Sequence, residues 1–94
     1  RLALAARSAD DLRRIADELP ESAGTLVLPA DLTRAEDCQR VVAATLERFG
    51  RLDALVNNAG MGGKVGLLGE MPDDQLIRMV ALNLTAPLLL MKHA

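Results

Sequence analysis

Short apolar runs alternate along this chain with stretches in which apolar residues recur every three or four positions. Leu2 to Ala6 has the length and composition of a buried strand. Leu12, Ile15, Ala16 and Leu19 then follow at helical spacing up to Pro20, which gives a predicted helix one buried face. Ser8 with Asp11 three residues on marks its start, because a Ser side chain can cap free backbone N–H groups. A second strand is predicted from about Thr25 to Leu28. Its helix opens with Thr33 and Glu36 as a Thr-x-x-Glu capping box, continues through Cys38, Val41, Val42, Leu46 and Phe49, and stops at Gly50. A third strand, Ala54 to Asn57, leads into a glycine-rich loop reaching Gly69 and a long helix from about Asp73 to the end. Strand followed by helix, three times over, is the pattern of a parallel sheet. The predicted class is α/β, with residues 1–94 as a single domain.

The last helix departs from the others, because Leu84, Leu88, Leu89, Leu90 and Met91 leave its second half apolar on nearly every side. Such a helix is expected to be buried all round. One face would cover the sheet and the other would meet a further helix or a second subunit, so a homo-oligomer formed through Asp73–Ala94 is expected. The strand pattern is already running at Leu2 and a helical pattern is still running at Ala94. The expectation is therefore an interior piece of a longer protein.

Composition narrows the classes of partner. The 94 residues are 50% hydrophobic and 26% charged, as in soluble globular proteins. A net charge of -2 with Phe49 as the sole aromatic residue argues against nucleic acid, which calls for a basic face and stacking rings. Cys38 is the only cysteine, so no internal disulfide can form; a reducing compartment and a cytoplasmic location are expected. Cys38 and His93 read as packing and surface residues, and no metal site is expected. The strongly apolar stretch Leu88 to Met91 falls far short of the roughly 20 residues of a spanning helix, so no membrane role is expected.

In a parallel sheet the residues just after each strand collect on one edge, where open α/β sheets bind ligands. Arg7, Asp31 and Asn58 all occupy that position. Singly, Arg7 reads as a solvated charge, and Asp31 and Asn58 as turn residues bonded to their own backbone. Asn57-Asn58-Ala59-Gly60 adds two small residues that let a ligand approach the backbone.

Leu55-Val56-Asn57-Asn58-Ala59-Gly60, with Asp31-Leu32 before it and Asn83-Leu84-Thr85 after it, resembles the short-chain dehydrogenase/reductase family across all 94 residues. The resemblance implies a Rossmann-type doubly wound parallel sheet, here lacking the family's first strand and its C-terminal half. It implies that Asp31 contacts the adenine of a dinucleotide with the Leu32 backbone beside it, that Asn58, Ala59 and Gly60 line the ribose, and that Asn57 is structural. Asp31 has a second reading, in which its carboxylate simply supports the start of the following helix.

The position after the first strand bears on cofactor choice, since an acid there accepts from a free 2′-hydroxyl whereas an Arg suits a 2′-phosphate. Arg7 is present and the acid is absent. With Ser8 and the helix N-terminus adding donors, NADP(H) is favoured over NAD(H), although Asp10 and Asp11 lower the potential felt by a phosphate.

Asn83 is the candidate catalytic residue. It lies mid-helix four residues before Pro87, which has no N–H, so its carbonyl loses the usual partner and a kink with a free acceptor is expected. In the family that the chain resembles, the corresponding Asn joins a Ser-Tyr-Lys set and its carbonyl holds a proton-relaying water. A tolerated polar residue at a packing kink is the alternative. Gly60-Met61-Gly62-Gly63-Lys64 suggests a phosphate loop, but Asn58 and Val65 stand where a Walker motif needs Gly and Ser or Thr. Those glycines read instead as a loop near the substrate.

The family's Gly-rich loop, its catalytic Ser and its Tyr-x-x-x-Lys do not fall within these residues, and there is no Tyr at all. The expected function is that of a piece of an oxidoreductase moving a hydride between NADP(H) and a small carbonyl or alcohol, inactive by itself. The alternatives are an NADP(H)-binding regulator on the same fold, and a flavodoxin-like or receiver-type domain, which would leave Asn-Asn-Ala-Gly unexplained.

Overall fold

The computed structural model describes residues 1–21, 24–63 and 66–94. Ser22, and Lys64 and Val65 of the glycine-rich loop, lie outside the described residues. Strand β1 (Ala3–Ala6) is followed by helix α1 (Ala9–Glu18), and strand β2 (Leu26–Pro29) by helix α2 (Ala35–Phe49). A short 3-10 turn at Leu68–Glu70 precedes helix α3 (Asp73–Val80), a π-helical segment at Ala81–Thr85 and helix α4 (Ala86–His93).

β1 and β2 run parallel, with Ala3 opposite Leu26 and Ala6 opposite Pro29. Pro29 falls at the strand's last position, where a missing N–H costs the ladder least. Helix α1 starts as expected: the Ser8 hydroxyl accepts from the Asp11 N–H at 3.3 Å. It stops at Leu19, whose extended backbone (φ -87°, ψ 149°) is what a following proline imposes. Gly50 ends α2 in the left-handed conformation at φ 77°, its N–H bonded to Leu46 O at 2.7 Å.

The core lies where α2 packs on β2 and α4, around Leu28, Ala30, Leu32, Cys38, Val41, Val42, Ala86 and Leu90. Cys38 is fully buried, and burial raises its thiol pKa. Thr45 is buried too, with its hydroxyl donating to Val41 O at 2.7 Å, so it costs the core no unpaired polar atom.

Four expectations are corrected. Ala54–Asn57 is not a strand: a strand needs a ladder partner, β1 and β2 pair with each other, and among the described residues none lies beside this segment. Val56 is accordingly 83% exposed. The Thr33–Glu36 capping box does not form: α2 begins one residue later than expected, with Arg34 at its N-cap and no side-chain cap bond, while the Thr33 hydroxyl donates to Asp31 Oδ1 at 2.7 Å. Ile15 is exposed, so the predicted face of α1 is fully buried only at Leu12, with Ala16 and Leu19 half-buried. The last helix is buried only along Ala86 and Leu90; Leu84, Leu88 and Met91 face outward.

The helix from Asp73 to His93 is also continuous for 21 residues, with a mean hydropathy of 1.2 over its most apolar window. By length and composition it reaches the range of a spanning helix, which removes the argument from short apolar stretches. A core helix of a soluble fold has the same length and composition, and Ala86 and Leu90 lie in the core.

Candidate cofactor-binding edge

Because β1 and β2 run parallel and in register, Arg7 and Asp31 both follow strand ends on one edge of the sheet. Arg7 and Ser8 are exposed, and Arg7 has no ion-pair partner among the described residues. Asp10 and Asp11 behind them are engaged by Arg13 at 3.1 Å and Arg14 at 3.4 Å.

Asp31 sits in a turn closed by its own carbonyl, which accepts from the Arg34 N–H at 2.9 Å. Its Oδ1 accepts from both the Thr33 hydroxyl at 2.7 Å and the Thr33 N–H at 3.1 Å. These two bonds, the hydroxyl first, hold the carboxyl below its ordinary pKa, with the charges of Arg78 and Arg7 adding to the effect. The turn reading of Asp31 is thus correct for one oxygen. Oδ2 has no hydrogen-bond partner among the described residues. Leu32 is buried, and its carbonyl accepts from the Cys38 thiol at 3.3 Å.

Asn58, Ala59 and Gly60 are exposed and lie outside regular secondary structure. The residue that fixes their far end is Asn83. Its side-chain Oδ1 accepts from Met61 N at 2.9 Å while Nδ2 donates to Met61 O at 2.8 Å. One amide thereby mimics a strand neighbour for the residue directly after Gly60. The approach is close enough to matter at Gly60, where a Cβ would stand 3.3 Å from Asn83 Oδ1. Asn83 itself lies within the π segment, in which the Ala86 N–H reaches back five residues to Ala81 O. The helix departs from α geometry where expected, as a π segment rather than a bare proline break.

The residues that sequence reasoning missed are Arg78, whose charge acts on Asp31 from α3, and the pair Asp37 and Arg40 on α2. Only an acid and a base three apart on a helix were visible in the sequence, an ordinary surface pairing. No cluster of three or more His, Cys, Asp or Glu that could hold a metal occurs among the described residues.

Paired parallel strands, each followed by a helix, with polar residues gathered at the strand ends, define a Rossmann-type α/β unit. The chain belongs to the short chain dehydrogenase family, whose profile matches residues 1–94. This overturns the flavodoxin-like and receiver-type alternatives. The chain is 46% identical over 74 residues to the 11-beta-hydroxysteroid dehydrogenase A of Sesamum indicum, covering 77% of this chain and 21% of that protein. A solved metagenomic short-chain oxidoreductase in complex with NADP superposes with a TM-score of 0.90 at 34% identity, over 99% of this chain and 42% of its own. A 3-ketoacyl-(acyl-carrier-protein) reductase from Brucella melitensis complexed with NADH gives a TM-score of 0.86 at 29% identity, over 96% of this chain and 36% of its own. The chain therefore spans about a fifth of the first curated relative and about two fifths of these structures.

Proposed function

We propose that the chain forms the adenosine-binding part of an NADP(H)-dependent oxidoreductase, which moves a hydride between the cofactor and a small carbonyl or alcohol. The observation that carries this reading is the paired hydrogen bond from Asn83 to Met61, which joins the Asn58–Gly60 loop to the helix that holds the relay candidate. In this reading Asn58, Ala59 and Gly60 line the ribose, and Asp31 offers its free Oδ2 to the adenine beside the Leu32 backbone. Arg7 and Ser8 face the 2′-phosphate. The cofactor, when bound, supplies the hydride donor or acceptor. Asn83 does two things at once: its side chain holds the loop, and its carbonyl, deprived of an α-helical partner by Pro87, is available to a proton-carrying water.

The donor set fits the group. Arg7 is exposed without an ion-pair partner among the described residues, and the carboxylates behind it already face Arg13 and Arg14, which offsets their effect on a phosphate. Since the similar Brucella structure carries NADH and the metagenomic one NADP, the fold leaves the choice to such local residues. In the complete protein, Arg7→Ala should weaken NADPH binding about tenfold or more while changing NADH little. Equal losses, read by fluorescence titration, would refute the NADP(H) assignment. The outward row Val80, Leu84, Leu88 and Met91 is assigned to a second subunit, and light scattering that finds a monomer would overturn that assignment.

A further inference from the structure

The exit from β2 is held from outside by two residues with no assigned role. Asp37, in the first turn of α2, is 22% exposed at its side chain. Its Oδ2 accepts from the Asp31 backbone N–H at 2.8 Å. Its Oδ1 accepts from Arg40 Nε at 3.1 Å and Nη2 at 2.9 Å. The same Nη2 donates to Pro29 O at 2.7 Å. One ion pair on α2 therefore grips the chain at both Pro29 and Asp31, on either side of Ala30, and the Cys38 thiol adds a third tie at Leu32 O. Every tie is to backbone except the pair from Thr33, which orients the Asp31 carboxyl through Oδ1. The only atom of this turn's acid left without a partner among the described residues is Oδ2 of Asp31.

We propose that Asp37, oriented by Arg40, is a positioning residue for the adenosine half of the cofactor. It fixes the backbone of Asp31 and so the direction of the free carboxylate oxygen. This rests on the cofactor-binding reading given above. Held charges of this kind are pre-organised, so no binding energy goes into ordering the turn when the ligand arrives. Arg7, assigned above to the 2′-phosphate, makes no hydrogen bond to Asp37, Arg40 or Asp31, so the effect should be nearly blind to the 2′-phosphate.

The test uses the complete protein with NADPH, NADH and reduced nicotinamide mononucleotide, which lacks the adenosine. Asp37→Ala should raise Kd for NADPH and NADH alike, by about tenfold, the usual effect of one hydrogen bond to a charged group. Asp37→Asn keeps an acceptor for the Asp31 N–H but turns an amide NH2 toward Arg40, so it should recover only part of the loss. The reduction rate with the mononucleotide should stay unchanged in both. In the Asp31→Ala background, Asp37→Ala should add little, because its effect passes through Asp31. If Asp37→Ala fails to fold, Arg40→Gln on the half-exposed partner should show the same pattern. Unchanged dinucleotide affinity, an equal loss with the mononucleotide, or additive losses in the double variant would each overturn the positioning role alone. Wild-type protein that binds neither dinucleotide would overturn the oxidoreductase reading and this one with it.

Discussion

Asn83 commits its side chain and leaves its backbone carbonyl to a different fate. Its side-chain amide is consumed by Met61, so any proton relay must run through the backbone carbonyl, which Pro87 leaves without an α-helical donor. Asn83→Ala in the complete protein should therefore cost about 1 kcal/mol of stability, since the bonds it removes are exposed. It should also lower kcat/KM about tenfold or more, because the loop after Gly60 loses its anchor. Steady-state kinetics alongside a thermal melt would check both, and unchanged kinetics would sink the role. Asp31 illustrates a different division, between two oxygens of one carboxylate. The sequence offered the ligand contact and the turn as competing explanations, yet Thr33 takes only Oδ1, so the turn does not use up the carboxylate.

At the scale of elements, local signals succeeded where the partner is a neighbour in sequence. Ser8 caps α1, Gly50 ends α2 and Pro20 stops α1 through Leu19, each within one turn. They failed where a competitor or a distant partner decided the outcome. Thr33 had the residue type of a cap, but the chain enters α2 one residue later, at Arg34, and the Thr33 hydroxyl donates to the Asp31 carboxylate instead. The 73–93 helix carries a further consequence of its π segment. Replacing Pro87 by Ala restores an N–H that can close an α-helical bond to the Asn83 carbonyl. Pro87→Ala should then raise Tm, since a proline inside a helix costs ~3 kcal/mol or more, while kcat falls if the Asn83 carbonyl carries the relay. A rise in both would contradict the relay.

At the scale of the whole molecule, the 94 residues fall short of closing a core. The radius of gyration is 15.0 Å, against about 13 Å for a compact domain of roughly 100 residues. Val56, Leu84, Leu88 and Met91 remain exposed, and β1 and β2 are the only paired strands among the described residues. A two-stranded sheet is marginal in water. The isolated chain should consequently melt without a cooperative transition and bind NADPH weakly. Circular dichroism and titration would test this, and a sharp melt together with micromolar affinity would refute it.

Periodicity determined the α/β class, both paired strands to within a residue or so, and the three helical regions, because burial of one face writes a period of 3.6 residues and caps act locally. The short motif Asn57–Gly60, with Asp31 and Asn83 at their positions, was enough to point to the family. Only the tertiary structure decided which atoms remain free to act. It placed Asn83 against Met61 across 22 residues, split Asp31 between turn and open oxygen, brought Arg78 toward that carboxylate, and put Asp37 and Arg40 behind it. These are contacts between elements, set by how α2 and the 73–93 helix pack on and beside the sheet, and no spacing along the chain encodes them.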